Sequence, residues 1–397
     1  RSEIPWRVFK ASVFAMWARF LPLLTVVVAR TPEEVAENAR WLVHEASWGT
    51  LSTLDASSEP VGDTLSFSDG AVGNSTGRLF FYLMGDYEDS LPAALTISQA
   101  ALNSSCGSIV PTRAEHDPED PRCGRLTATG VLKKVSGEDE ALGKAGLFAR
   151  HPQMAHWPAS HDFRVHELVP SDIWILDAYG GGQVVKLSDF LSAKPKHTTP
   201  WEVPFRVNGE PWVTPPPYFR PAQRARWLVY HSIWGTVSTK SVHLHGAPWG
   251  NARSVADGVG ANSTGLPVLY LPTPDPTALD VAADSHVTIS LTEAALADRV
   301  SPKGICNGMD PEDPTCARIA LTGTLRALTG DEVTQAEVNL GARHPLAPWL
   351  AHGGAHTGGQ YFIIDLKSIT FLDFYGGPAK VTVSEYLRAV VPHEVMV

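Results

Sequence analysis

The chain has 397 residues, of which 44% are hydrophobic and 19% charged, an ordinary globular composition with length for two domains. Its net charge of −10 leaves no surplus of Lys and Arg for a phosphate backbone, which excludes nucleic acid as an expected partner. With 33 glycines and 31 prolines, strands and turns are favoured over a helical architecture.

Taken in chain order, Val8–Ala29 is mostly apolar but carries Lys10, Arg19 and Pro22, which a membrane-spanning helix tolerates poorly. From Met16, the run MWARFLPLLTVVVA has the short basic start and apolar body of a signal peptide, so 1–30 is expected to be a leader. Unless that leader is retained, no integral membrane segment is expected. Thr31–Val43 predicts a helix: Thr31 caps it, Pro32 opens it, and Val35, Ala39, Leu42 and Val43 share one face. Strands are predicted at Trp48–Leu54, Val61–Phe67, Leu79–Met84, Ala94–Ser98 and Arg125–Val135, from alternating polarity between Gly- and Pro-rich turns. Glu138–Arg150 reads as a helix, with Ala141, Leu142, Ala145 and Phe148 three or four residues apart. Phe163–Leu168 and Ile173–Tyr179 read as a last strand pair, and Leu187–Ser192 as a short closing helix. Many short strands with few helices predict a small antiparallel barrel.

The chain then repeats itself. Ala39–Thr53 (ARWLVHEASWGTLST) returns as Ala225–Thr239 (ARWLVYHSIWGTVST), with ten of fifteen positions identical. NSTG at Asn74 returns at Asn262, DPEDP at Asp117 returns at Asp310, RHP at Arg150 returns at Arg343, and YGG at Tyr179 returns at Tyr375. Fixed landmarks with a slowly growing offset are what loop insertions in two copies of one fold produce. The copies are expected at 31–192 and 223–392. The segment 193–222, rich in proline, is expected to be a semi-rigid linker long enough to reach across a domain.

Each copy has two cysteines flanking one loop, Cys106 with Cys123 and Cys306 with Cys316. An intradomain disulfide in each is expected, and a zinc site is the rival, poorly served by spacing without CxxC. Sequons stand at Asn74, Asn103 and Asn262, and with the cysteines they point to an oxidising secretory route. Arg150–His151 and Arg343–His344 are the shared polar candidates. They either face a ligand, or are structural, with Arg on helix-end carbonyls and His in a Pro turn. His151, His156, His161 and His166 recur every five residues, a period that aligns side chains on neither a helix nor a strand, so no metal site is expected. No nucleophile or nucleotide motif stands out. Trp41, Trp48, Trp157 and Trp174 are expected in the core or at its rim rather than in a cofactor cage.

These landmarks together resemble the CREG family of secreted glycoproteins. The resemblance is nearly continuous over Arg40–Leu191, through DTLSFSDG, LFFYL, DPEDPRC, LFARHPQMAHWPASHDF and DIWILDAYGG. It is looser in the second copy, where RSVADG (Arg253–Gly258) replaces LSFSDG. It implies a mainly β fold with a few helices, two tandem split β-barrels of the FMN-binding type. It also implies a pocket at a dimer interface, here an intrachain pseudo-dimer of the two repeats, and a secreted or endolysosomal setting. The implied role is non-catalytic and regulatory, with an unknown receptor or small ligand as partner. The competing reading on the same barrel is an FMN-dependent oxidoreductase or a haem-handling protein. A flavin phosphate needs Arg or Lys, or a nest of N–H donors. The hairpin Trp48–Gly70 has neither Lys nor Arg, and its Ser66 and Ser68 hydroxyls offer hydrogen bonds without charge, so no cofactor is expected.

Overall fold

In the computed structural model, residues 30–85, 87, 89–102, 106, 116–195, 214–273, 275–299, 305–350 and 358–391 are described. The leader, Asn103 and most of the linker lie outside them. The first half runs α1 (Pro32–Glu45), β1 (Trp48–Leu54), β2 (Pro60–Ser66), β3 (Leu79–Leu83), β4 (Leu91–Ser98), β5 (Arg125–Lys134), α2 (Glu138–Arg150), β6 (Arg164–Leu176), β7 (Gln183–Val184) and α3 (Leu187–Ser192). The second runs α4 (Pro221–His231), β8 (Trp234–Lys240), β9 (Pro248–Ser254), β10 (Val268–Leu271), α5 (Pro276–Ala283), β11 (His286–Thr292), β12 (Arg318–Ala327), α6 (Asp331–Arg343), β13 (Gln360–Leu372) and α7 (Val383–Arg388).

Each half curls one antiparallel sheet into a half-barrel, giving two split β-barrels. The strand order is β2-β1-β4-β5-β6-β3 in the first and its counterpart, β9-β8-β11-β12-β13-β10, in the second. The registers match residue for residue. Trp48 faces Ser66 as Trp234 faces Ser254, and Arg125 faces Leu176 as Arg318 faces Leu372. Among the described residues, the second half alone has α5, between β10 and β11, and the first alone has β7. Inside each sheet, alternate apolar side chains make the core, with Leu51, Phe81, Leu95 and Ile175 in one half and Val237, Leu269, Ile289 and Phe371 in the other. The buried face of α1, Val35, Ala39, Leu42 and Val43, closes the first barrel as the spacing predicts.

One expectation is corrected. The predicted last strand pair is a single strand, β6, which pairs with β5 along its length, with β3 over one end and with β7 near the other. Val169–Ser171, which reads as a turn, is a bulge where the register shifts opposite Thr129 and Gly130. Gly130 permits it, since a Cβ there would lie 2.0 Å from the Val169 carbonyl oxygen. The same bulge recurs at Thr322/Gly323, where a Cβ on Gly323 would meet the Asp365 carbonyl at 2.2 Å.

Candidate functional site

The two halves pack face to face. Trp48 stacks on Trp234 with ring centroids 5.7 Å apart, and Ser52 Oγ meets Ser238 Oγ at 2.8 Å. Both disulfides, Cys106–Cys123 and Cys306–Cys316, are formed, and their sulfurs belong to the apolar cluster around these tryptophans. The DPEDP loop, between the two cysteines of each disulfide, reaches into the opposite half. There Asp310 accepts from Ser66 Oγ at 2.5 Å and meets His151 Nδ1 at 2.6 Å, while His151 Nε2 donates to the Phe67 carbonyl at 2.9 Å. Reciprocally, Asp117 accepts from Ser254 Oγ at 2.6 Å and meets His344 Nδ1 at 2.7 Å, and His344 Nε2 donates to the Val255 carbonyl at 3.0 Å. Each ring nitrogen faces an acceptor, which suits an imidazolium donating from both ends. Burial pushes both aspartates up. The His charge and hydrogen bond, with the Ser hydroxyl and a backbone N–H, outweigh it and hold Asp117 and Asp310 below the usual carboxylate range.

Beside the His151–Asp310 pair, a cavity of about 1080 Å³ opens between the halves. One side of it is acidic: Asp55, Glu59 and Asp63 from the β1–β2 hairpin, with Glu312 and Asp313 from the facing loop. Trp157 and Phe163, 4.8 Å apart, also line it, with Tyr87 and Met84. His156 and His161 line it as well, and Tyr375 donates to Asp313 at 3.3 Å. The cavity's guanidinium, Arg318, is engaged by its own surroundings: Nη1 donates to the Glu312 carbonyl at 2.9 Å, and Nε lies 3.7 Å from Asp63. Glu312 Oε2 accepts from the Ser66 N–H at 3.0 Å. Burial, reinforced by Asp310 and Asp63 and opposed by Arg318 and that N–H, leaves the Glu312 carboxyl pushed up to about 8. Asp63 is half-exposed, and its partial enclosure raises it against the pull of Arg318 and the Thr64 N–H.

The pseudo-equivalent position in the other half is filled. Register places Trp249 where the first half has Val61, Arg253 where it has Leu65, and Trp174 where the second half has Thr370. Trp249 and Trp174 meet edge to face at 5.6 Å, both buried, whereas Thr370 is exposed. Arg253 is fully buried, donating to Glu119 Oε1 at 2.5 Å and pairing with Asp275 at the start of α5. Glu119 Oε2 accepts from the Ser254 N–H at 3.1 Å, as Glu312 does from Ser66. The helix α5 adds Thr277, whose hydroxyl accepts from Asn251 Nδ2 at 3.0 Å.

Known proteins place this architecture. The profile of the CREG β-barrel family matches residues 30–192 and again 216–388. The chain belongs to the CREG family. Protein CREG1 of Gallus gallus is 35% identical over 171 residues, 41% of this chain and 88% of that protein; Protein CREG1 of Homo sapiens is 33% identical over 170 residues, 40% and 74%. Each alignment spans a single repeat, so the tandem CREG chain carries two units where these relatives align as one. Among solved structures, a heme binding protein from Mycobacterium smegmatis is 14% identical with a TM-score of 0.35, covering 59% of this chain and 93% of that one.

The residues around this CREG cavity do not fit the flavin mononucleotide that the barrel type implies. A phosphate placed there would meet carboxylates, and the guanidinium that faces it is already engaged. Of the shared candidates, His151, His344 and Ser66 join the seam between halves, and all three are buried. Ser68 turns inward, donating to the Gly70 carbonyl at 2.9 Å. Arg150 donates to the carbonyls of His44, Glu45 and Ala46 at the end of α1, and Arg343 to those of Tyr230 and Ser232 at the end of α4. His166 is buried in the first barrel. No cluster of three metal-ligating side chains occurs among the described residues. No helix there is long and apolar enough to cross a membrane. Asn74 and Asn262 are exposed, but the rest of the sequon is structural: Ser75 and Ser263 tie Asp69 and Asp257 to Arg40 and Arg226. Trp48 and Trp174 are buried, Trp41 packs on the first core, and Trp157 lines the cavity. The DPEDP acids and Arg253 were missed as site residues. The signal for the acids was the unchanged loop in two otherwise diverged copies.

Proposed function

We propose that this CREG-family chain is a non-catalytic binding and regulatory module of the secretory or endolysosomal lumen, a glycoprotein acting as an intrachain pseudo-dimer. One observation carries the reading. The groups best suited to proton transfer, His151–Asp310 and His344–Asp117, have both ring nitrogens and the carboxylate oxygens engaged: each Nδ1 and each carboxylate fastens the two halves together, and each Nε2 is held by a carbonyl of its own half. What stays open is a recognition surface, the interfacial cavity with its acids and aromatic wall. The two disulfides and the exposed Asn74 and Asn262 support an oxidising, glycosylating compartment.

The test is spectroscopic. Full-length chain incubated with flavin mononucleotide, or with haem, and passed through a desalting column is expected to emerge without flavin absorbance or a Soret band. A stoichiometric chromophore would replace this reading with the oxidoreductase or haem-handling one. Glycosylation is checked by secretion from eukaryotic cells: Asn74→Gln and Asn262→Gln should each remove one glycan's mobility shift, and an unshifted wild type would remove the glycoprotein assignment.

A further inference from the structure

The second half shows what the acid at the head of this cavity pairs with when its site is occupied. Glu119 gives one oxygen to the Ser254 N–H and the other to the buried guanidinium of Arg253, and further along β9 Trp249 packs edge to face on Trp174. Glu312 repeats the first half of that arrangement on the Ser66 N–H. Leu65 stands where the guanidinium would originate, and Oε1 has no hydrogen-bond partner among the described residues. Where the sister site has Arg253, Trp249 and Trp174, this one has Leu65, Val61 and Thr370 around open space, a second half-exposed carboxylate at Asp63, and the aromatic side chains of Trp157 and Phe163.

We propose that the cavity binds one amphipathic organic cation per chain, an ammonium group on an aromatic or aliphatic body, with the ammonium at Glu312 and Asp63 and the body against Trp157 and Phe163. The proposal rests on the binding-module reading above and names its ligand class. Ammonium groups favour sites that combine carboxylates with aromatic faces. Negative walls around a low-dielectric cavity focus the field and reject anions. The volume accommodates a drug-sized molecule. A cation at Oε1 lowers the affinity of Glu312 for its proton, so binding releases that proton and strengthens as pH rises toward about 8. The charged groups facing Glu312 are Asp63 on β2, Arg318 on β12 and Asp310 in its own loop. His156 and His161 line the same cavity.

The experiment is calorimetric titration of the full chain with phenylpropyltrimethylammonium, phenylpropanol and phenylbutanoate. The ammonium is expected to bind once per chain, more tightly at pH 8 than at pH 6, and about tenfold more weakly to Glu312→Gln or Asp63→Asn. Val61→Trp, which borrows the residue the sister half already packs, is expected to abolish binding while leaving the thermal midpoint near wild type. Equal binding of the alcohol or the carboxylate would overturn the proposal. So would two sites per chain, an absence of ammonium binding at millimolar concentration, or indifference to both carboxylate variants. Those outcomes leave the non-catalytic reading standing, which flavin-dependent turnover would sink separately.

Discussion

A buried aspartate that holds a serine and a histidine of the other half carries both bonds on one carboxylate. Asp310→Ala would leave the His151 ring and the Ser66 hydroxyl without their acceptor, in a seam closed to water. Breaking a buried pair from one side costs about 3–5 kcal/mol, so the denaturant midpoint should fall sharply. A loss below about 1 kcal/mol would place the pair among ordinary neutral hydrogen bonds. Glu312 behaves in the opposite sense. Its folded carboxyl is raised from 4.5 to about 8, so between those values the folded chain keeps a proton that the unfolded chain has released. Stability therefore falls as pH rises through that window. Glu312→Gln retains an acceptor for the Ser66 N–H and removes the ionisation, so its thermal midpoint should decline less than that of the wild type from pH 5 to pH 8. Parallel curves would show that Glu312 does not titrate there. These roles were half visible in the sequence. The Arg-His pairs stood out by recurrence, and their structural reading required only helix ends and turns. The acceptors of the histidines lie 159 and 227 residues away in sequence. No local pattern links residues so far apart.

The elements were more legible, because a period of two or of 3.6 residues is a local property. Thus Glu138–Arg150 and Leu187–Ser192 form the helices their spacing predicts, and Trp48–Leu54 the strand. The merged strand β6 was hidden because Pro170 punctuates like a turn, while the bulge that absorbs it depends on Gly130 in a different strand. The helix α5 and its Asp275 cap escaped for a related reason: what it does, filling the sister site, is visible only against the other half. Strands β2 and β9 cross the interface at two glycines forced by close approach. A Cβ on Gly62 would lie 2.5 Å from both Ser238 Oγ and Ser290 Oγ, and one on Gly250 would lie 2.3 Å from Thr96 Oγ1. Gly62→Ala is expected to cost about 1–3 kcal/mol through overpacking, with part of it recovered when Ser238→Ala and Ser290→Ala are added. Unfolding curves that show no recovery would put the cost elsewhere in the strand.

At the scale of the molecule, the seam is self-complementary. Each half supplies a His, a Ser and a DPEDP loop of the same geometry, so a pair of identical first halves would satisfy the same set. A chain ending near residue 195 is accordingly expected to sediment as a dimer, and the whole protein as a monomer. A monomeric first half, or a dimeric full chain, would mean that the contacts between the halves do not substitute for self-association. Reduction of the two disulfides, which sit in the cluster between the halves, should lower stability by about 3 kcal/mol per bridge if the loops they close gain freedom on unfolding. Fusion has a further effect. In an assembly of identical subunits, a tryptophan that plugs one mouth plugs both, because one codon is read into every copy. Here Trp249 and Val61 are separate codons in one reading frame, so one mouth can be sealed for rigidity while its twin stays free to change what it admits.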